Sequence, residues 1–437
     1  MKLAYFSPLL PKQTGIATYS HHLVPALARQ AGVDLFDPPP SQSPIFPQRV
    51  FDYVARPELL LTLPGYDNVI YHLGNNPYYH LSIYKALIQV SGTVVLHDAV
   101  LYYLIAGLDR GGMLREFMYN YGATRMSEFF AIERESVDFN VLRYDQPERY
   151  PMLRRVLDSA KSVIVHSETT AAIVRAAGFR NHVTVAPLLM YPDMVEATLR
   201  IDPLTVRAEL GVKPDDILIG SFGFIGPPKR MPIVFDALKR LSRRSNRFKL
   251  LIVGEGGDVH SEINRWGVGD NVILTGFVDE NGFNRLLRSI DILVNLRFPS
   301  MGETSATLIQ AMSYGIPSIV SNHAWFSELP DNVVHKIGVG IGEAEELEQA
   351  LLRLADDEAH RSTLGQAARE YAIKHCMPDV VAARYIDAAV QRRADANATS
   401  AGMAHRGAEM RFEGLDDGAS TFMKTYFQRR IAEATPV

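Results

Sequence analysis

The sequence predicts an α/β fold of two doubly wound domains in series, and three observations predict it. Short apolar runs without strict polar alternation recur along the chain, and longer amphipathic segments separate them. The pattern begins again near Ile217, after Pro192 and a polar stretch over 202–216. Unalternating apolar runs suit parallel strands buried on both faces. Strand–helix alternation gives right-handed βαβ units.

In the first half the runs cover 3–6, 69–73, 93–96, 163–165 and 183–186; in the second, 217–220, 250–253, 272–274, 292–296 and 318–320. Helical patterns lie between them, as at 19–28, 232–241 and 303–314. A break near 195–210 gives an N-terminal domain over 1–198 and a C-terminal domain over 199–375, then a closing helix over 376–394 and a tail over 395–437. Ligands of such sheets bind beyond the carboxyl ends of the strands, and two facing sheets would make an interdomain cleft.

Two regions depart from simple alternation. Residues 100–150 read as a helical insert rich in aromatics (Tyr102, Tyr103, Phe117, Tyr119, Tyr121, Phe129, Phe130), with Arg110, Arg115 and Arg125 interleaved. It could pack as ordinary helices, hold an acceptor or lie against anionic lipid. In the tail, 395–410 is small and polar and reads as a loose linker. Residues 420–434 read as a short amphipathic helix capped by Ser420, expected to dock on the body or touch a membrane surface.

A chain of 437 residues has room for two to three domains at ~150 residues each. A net charge of −4 argues against a general nucleic-acid binder. Cys376 is the single cysteine, which excludes an internal disulfide or a cysteine-based metal cluster. No His-Glu-x-x-His pattern occurs among the 13 histidines. The apolar start reads as a first buried strand, being too short for a secretory signal. No run approaches the ~18 apolar residues of a spanning helix. A cytoplasmic protein is the simplest expectation, with peripheral contact at the inner face of a membrane left open.

The richest stretch runs from Arg297 through Phe298, Pro299, Ser300, Met301, Gly302, Glu303, Thr304 and Ser305. An apolar strand stops at a polar, hydroxyl-rich turn that opens a helix. The geometry would aim backbone N–H groups near Thr304 and Ser305, and a helix N-terminus, at one point, a site suited to a diphosphate. Glu303 stands at its lip, where a sugar hydroxyl could be read. Gly15 follows the first strand; it either lets a ligand approach the backbone or serves a tight turn needing positive φ. His97 and Asp98 end a buried run, and a histidine there can donate to a sugar hydroxyl; a satisfied edge histidine is the alternative. His72 and His166 hold similar strand-end places and read as structural.

The segment from Phe222 to Arg230 carries Gly223, Phe224, Gly226, Lys229 and Arg230. Cations at a helix start oppose its dipole, so a bound anion explains Lys229 and Arg230 better than surface decoration. The downstream basic run 239–249 reads as a solvated face. Gly254 and Gly256 end another run. Gly276, Phe277 and Val278 could frame a nucleobase. Each of these is also a plausible plain turn. No Gly-x-Gly-x-x-Gly fingerprint follows a strand, which disfavours a nicotinamide dinucleotide.

Taken together, in this order and spacing, these motifs resemble the GT-B glycosyltransferases of the family 4 type (glycosyl transferases group 1), over about residues 2 to 390. The resemblance implies two Rossmann-like domains facing a cleft, the acceptor on the first and a nucleotide-sugar on the second. It implies retaining transfer with no cofactor beyond that co-substrate and no obligatory metal. Lys229 matches the lysine that neutralises the donor diphosphate, and His97 the histidine that contacts the donor sugar. Glu303 and Gln310 lie near the family's two glutamates, one toward the sugar and one toward the ribose. The family's arginine five residues before the lysine is Phe224 here, a loss Arg230 could make good. The position eight before Gln310 is Gly302, so the carboxylate is shifted by one to Glu303. The turn over 302–305 is expected to absorb that shift.

The resulting expectation assigns His97, Lys229 and Glu303 to catalysis. Gly15, Phe224, Arg230, Gly254, Phe277, Val278, Thr304, Ser305 and Gln310 are assigned to the donor. Dipoles and cations already aimed at the leaving diphosphate lower the barrier without reorganising. A carbohydrate or lipid-linked acceptor in cell-surface polysaccharide or glycolipid synthesis follows by analogy. A sugar-nucleotide epimerase and a non-catalytic nucleotide-sugar-binding subunit stay open as alternatives.

Overall fold

The computed structural model describes residues 1–37 and 46–399, with side chains as far as 390. Its thirteen strands are β1 (Lys2–Phe6), β2 (Gly32–Phe36), β3 (Val50–Phe51), β4 (Asn68–Leu73), β5 (Gly92–Leu96), β6 (Ala160–Val165), β7 (Val183–Val185), β8 (Ile217–Phe222), β9 (Phe248–Val253), β10 (Val272–Gly276), β11 (Ile292–Asn295), β12 (Ser318–Ser321) and β13 (His335–Ile337). They form two parallel sheets, ordered β3-β2-β1-β4-β5-β6-β7 and β10-β9-β8-β11-β12-β13. Both are doubly wound, as the apolar runs predict, and match the two-domain GT-B architecture. The order reverses between β1 and β4 in the first sheet and between β8 and β11 in the second. Those switch points are where such sheets bind ligands.

Every expected run forms a strand. Three strands were not expected: β2, β3 and β13. β2 carries Asp34 in its middle, where Tyr66 donates to the carboxylate at 2.7 Å and Arg49 pairs with it at 3.0 Å. A satisfied carboxylate is tolerated inside a strand but interrupts the apolar signature. β3 has two residues, and β13 reads His-Lys-Ile at a sheet edge.

Contacts divide the chain into two compact units. One holds Met1–Ala186, Met301–Glu303 and the chain from Ala382; the other holds Pro187–Ser300 and Thr304–Val381. The unit changes ahead of 198 because the helix Pro192–Leu199 belongs to the second: Asn284 donates to Met194 Sδ at 2.8 Å, and Tyr314 hydroxyl reaches Thr198 Oγ1 at 3.4 Å. In the second sheet the strands alternate faces. Leu218, Phe222, Leu251 and Val253 pack in one apolar cluster, while Ile217, Ile219, Leu250 and Ile252 pack in another. The sheet is thus buried on both sides.

The insert forms the helices Tyr102–Ala106, Arg110–Tyr121 and Met126–Glu135. Tyr102, Phe117 and Phe129 are buried in the first unit's core, and Arg110 and Arg125 pair with Glu133 and Glu128, both at 2.6 Å. Ordinary helix packing accounts for these aromatics. The last helix, Pro378–Thr399, continues past 394, so 395–399 is helical where a linker was expected. The linker beyond 399 and the expected helix over 420–434 lie outside the described residues. Among the described residues no helix is long and apolar enough to cross a membrane.

Candidate active site

The second unit's switch point is flanked by the loop after β8 and the loop after β11. β8 ends at Phe222, and the chain turns at Gly223 with φ of 94°. It then passes Gly226, a 3-10 turn at Pro227–Lys229 and Arg230 before the helix Met231–Arg244. Gly223 N–H donates to Val253 carbonyl and Ile225 N–H to Glu255 carbonyl, both at 2.8 Å. Gly254 has φ of 133°, and a Cβ there would land on Gly223's carbonyl. The neighbour that requires this glycine is therefore the β8 loop. Gly254 thereby shapes that loop.

Lys229 is 7% exposed, and its Nζ turns back to donate to the carbonyl of Phe222. Burial, and then the guanidinium of Arg297, push its pKa down to about 7. Arg230 was expected to be a second phosphate cation. Instead it forms an ion pair with Glu343, a buried carboxylate that also accepts from Gly340 N–H at 3.2 Å. Removing one partner of a buried pair costs ~3–5 kcal/mol, so this guanidinium is committed within the fold. Phe224 is 65% exposed, with its ring near Gly226 and Gly256.

Beyond β11 the helix Ala306–Ser313 begins three residues later than expected, capped by Ser305. Ser305 Oγ accepts from Leu308 N–H at 3.2 Å and from Asn295 Nδ2 at 2.8 Å. The cap satisfies one donor of the first turn, and the N–H groups of Ala306 and Thr307 have no intrahelical acceptor. Thr304 is half-buried just ahead of the cap. Gln310 is buried on this helix, and its Oε1 has no hydrogen-bond partner; the same holds for Asn295 Oδ1. At the end of β10, Phe277 is exposed and its N–H reaches Glu255 Oε1 at 3.3 Å. Val278 packs against the core.

In the first unit, Gly15 opens the helix Gly15–Ala28, whose N-cap Thr14 makes no side-chain cap bond. Gly15 is absent from the positive-φ glycines, and no described atom lies within 4 Å of where its Cβ would stand. The tight-turn reading fails, since nothing in the described fold demands a glycine here.

His97 follows β5. Its Nε2 lies 2.9 Å from His72 Nδ1 and its Nδ1 lies 3.1 Å from His166 Nε2. His166 Nδ1 lies 2.8 Å from Ala186 carbonyl. Burial holds His72 and His97 well below the usual histidine range and His166 down to about 4, so all three rings are neutral at pH 7. A neutral imidazole has one N–H, and the carbonyl can only accept. The assignment is then forced along the line: His166, His97 and His72 each donate from Nδ1. The line ends at His72 Nε2, a buried acceptor without a partner. Both nitrogens of His97 are taken, which corrects the expectation that its ring holds a sugar hydroxyl. His72 and His166, read as merely structural, fix its tautomer. The signal was in the sequence: β4, β5 and β6 are neighbours, and each carries a histidine within one residue of its carboxyl end.

Glu303 Oε2 accepts from Met301 N–H at 2.6 Å. Met301 carbonyl accepts from Ala99 N–H at 2.9 Å, and Gly302 carbonyl accepts from Thr170 Oγ1 at 2.8 Å. Gly302 has φ of 81°, and a Cβ there would strike Ala99. A side chain at 302 is thereby excluded, which explains why the carboxylate stands one residue later. Sequence reasoning missed Glu343, whose pairing with Arg230 joins residues distant in sequence. Among the described residues no three His, Cys, Asp or Glu side chains group as a metal site would.

A family model described as glycosyl transferases group 1 matches residues 216–357. No curated sequence matches the chain. Among solved structures it is similar to HepE of Anabaena in complex with UDP and glucose, with 17% identity and a TM-score of 0.62 over 90% of this chain and 100% of that one. Sucrose-phosphate synthase of Thermosynechococcus elongatus gives 18% identity and a TM-score of 0.59 over 91% and 100%. WaaG, a glycosyltransferase involved in lipopolysaccharide biosynthesis, gives 16% and 0.55 over 89% and 99%. Fold and family model agree: the chain has the two-domain GT-B architecture, and its residues 216–357 match the glycosyl transferases group 1 model.

Proposed function

We propose that the protein is a retaining glycosyltransferase that moves a sugar from a nucleotide-sugar to a hydroxyl of a carbohydrate or lipid-linked acceptor. The observation that carries this reading is Lys229, a lysine buried at the second unit's switch point. No carboxylate pairs with it among the described residues. A buried ammonium needs an anion, and a diphosphate supplies one.

Breaking the anomeric C–O bond builds negative charge on the departing nucleoside diphosphate. Lys229 and the N–H groups that open the helix Ala306–Ser313 stabilise that charge. Gln310 Oε1, an unmet acceptor, takes a ribose hydroxyl. The ring of Phe277, with the backbone around it, borders the base. On the first unit, Gly15 leaves room for a ligand beside the uncapped start of its helix, and Glu303 offers a carboxylate suited to a sugar hydroxyl. The acceptor oxygen bonds to the anomeric carbon on the face the diphosphate leaves, and its proton passes to a diphosphate oxygen. HepE forms a complex with UDP and glucose, and WaaG is involved in lipopolysaccharide biosynthesis. They support a nucleotide-sugar donor and, by analogy, a cell-surface polysaccharide or glycolipid product assembled at the cytoplasmic side of a membrane.

The test is a thermal-shift screen of UDP-, GDP-, ADP- and dTDP-sugars, followed by transfer assays with the best binder and NMR of the product's anomeric configuration. Stabilisation by one nucleotide class and a product of unchanged configuration are expected. An inverted product overturns the retaining mechanism. Isomerisation of the donor without acceptor points to an epimerase. Tight binding with no turnover on any acceptor points to a binding subunit.

A further inference from the structure

Phe224 stands in the loop after β8, one residue past the turn at Gly223, and is 65% exposed. A single exposed phenylalanine is ordinary on a protein surface. This one is held in place. On either side of it the backbone is tied to the end of β9: Gly223 N–H donates to Val253 carbonyl and Ile225 N–H to Glu255 carbonyl, both at 2.8 Å. These bonds carry the β8–β9 pairing beyond its last register pair, Phe222 with Val253. Phe224 lies between them.

Two glycines make the seat of the ring. A Cβ added to Gly256 would stand 2.8 Å from ring Cε2 and 3.0 Å from Cζ, closer than carbon atoms pack. One added to Gly226 would stand 3.3 Å from Cε1. Gly226 has φ of −127°, which any residue adopts, so what its missing side chain provides is room for the ring. A flat apolar face is thereby fixed at the carboxyl ends of the strands, where sheets of this kind bind ligands, on the loop that leads to Lys229. The ring lies against the β9 loop. β10 is the next strand on the other side of β9, and Phe277 at its end reaches Glu255 of the same loop through its N–H at 3.3 Å. Phe224 and Phe277 thus flank one loop from the strands on its two sides.

We infer that Phe224 is a stacking platform for the nucleobase of the donor. The inference rests on the proposed nucleotide-sugar reading. It adds an aromatic face on β8's side of the β9 loop to the border that Phe277 forms on β10's side. Every base has a π-face, so such a ring adds affinity without choosing among bases. The choice falls to groups that meet the edge of the base.

The test measures, by calorimetry on the full chain, the affinity of the nucleoside diphosphate that best stabilises it and of the matching nucleotide-sugar. F224A is expected to weaken both by the same factor, about 5- to 100-fold, the worth of one base–aromatic stack. F224L, apolar but without a flat ring, should lose as much, and F224W should keep most of the affinity. Circular dichroism checks that the variants fold; if F224A does not, F224L and F224W carry the comparison. A loss confined to the nucleotide-sugar assigns the ring to the sugar and overturns the inference. Affinities of both ligands within threefold of wild type in folded F224A or F224L also overturn it. If wild type binds no nucleotide, the proposed function fails and not this inference alone.

Discussion

The ammonium of Lys229 donates to the carbonyl of Phe222, the last residue of the strand from whose loop the lysine comes. The side chain thus folds back over Gly223 and is held buried, with a pKa lowered from 10.5 to about 7.

Near neutral pH a fraction of Lys229 is therefore unprotonated before any ligand arrives. A bound diphosphate favours the charged form and raises the pKa again. Nucleotide-sugar binding at pH 7.5–8 should accordingly take up a proton, and affinity should fall above pH 7 by an amount approaching about tenfold per unit. Calorimetry in two buffers of different ionisation enthalpy measures the uptake. K229M should abolish it and reduce turnover by orders of magnitude. An unchanged proton count in K229M would assign the uptake elsewhere.

His72, His80, His97 and His166 all have pKa values lowered chiefly by burial, His80 and His166 to about 4. Between pH 4 and 6.5 the unfolded chain then binds more protons than the native one. Stability present above pH 6.5 is lost as the pH falls, with each group contributing up to ~1.4 kcal/mol per pH unit. The urea midpoint should drop steeply from pH 6.5 to 5, and H166Q should flatten that slope. Nitrogen-15 spectra at pH 7.5 should show Nδ1–H tautomers for His72, His97 and His166.

Two glycines should respond in opposite ways. G15A fills open space at a negative φ, so the helix should gain ~0.5–1 kcal/mol while transfer falls. G254A forces a side chain into positive φ against Gly223's carbonyl, adding ~1–3 kcal/mol of backbone strain to that collision. Thermal midpoints and transfer rates of the two variants, measured side by side, check both statements.

Removing either member of the Arg230–Glu343 pair should destabilise by ~3–5 kcal/mol, whereas R230M/E343M should recover most of the loss. Denaturant midpoints of the two single variants and the double variant decide this. Additive losses would mean that the pair is not a unit.

Much of the fold is legible in the sequence because a parallel sheet buried on both faces needs uninterrupted apolar runs, and ten of these stand out. The runs fail at β2, where a paired carboxylate interrupts the pattern, at β3, which is two residues long, and at β13, whose edge position admits polar residues. In the candidate site, Lys229 was legible as a cation misplaced against a helix dipole. Arg230 looked equivalent, because nothing nearby in sequence announces Glu343, which begins a helix over a hundred residues later. The function of His97 was misjudged because a ring nitrogen's availability depends on partners from other strands. The shift from Gly302 to Glu303 was countable, while its cause, the approach of Ala99, is tertiary.

The line of histidines has an electrical consequence. Every ring passes its hydrogen the same way, toward the carbonyl of Ala186, so the three imidazole dipoles add instead of cancelling. The result is a short polarised column beneath the strand ends, electron-rich at His72 and electron-poor at Ala186. Turning over one ring would set two lone pairs or two hydrogens face to face, and turning over all three would aim a lone pair at the carbonyl of Ala186, so the column has a single direction.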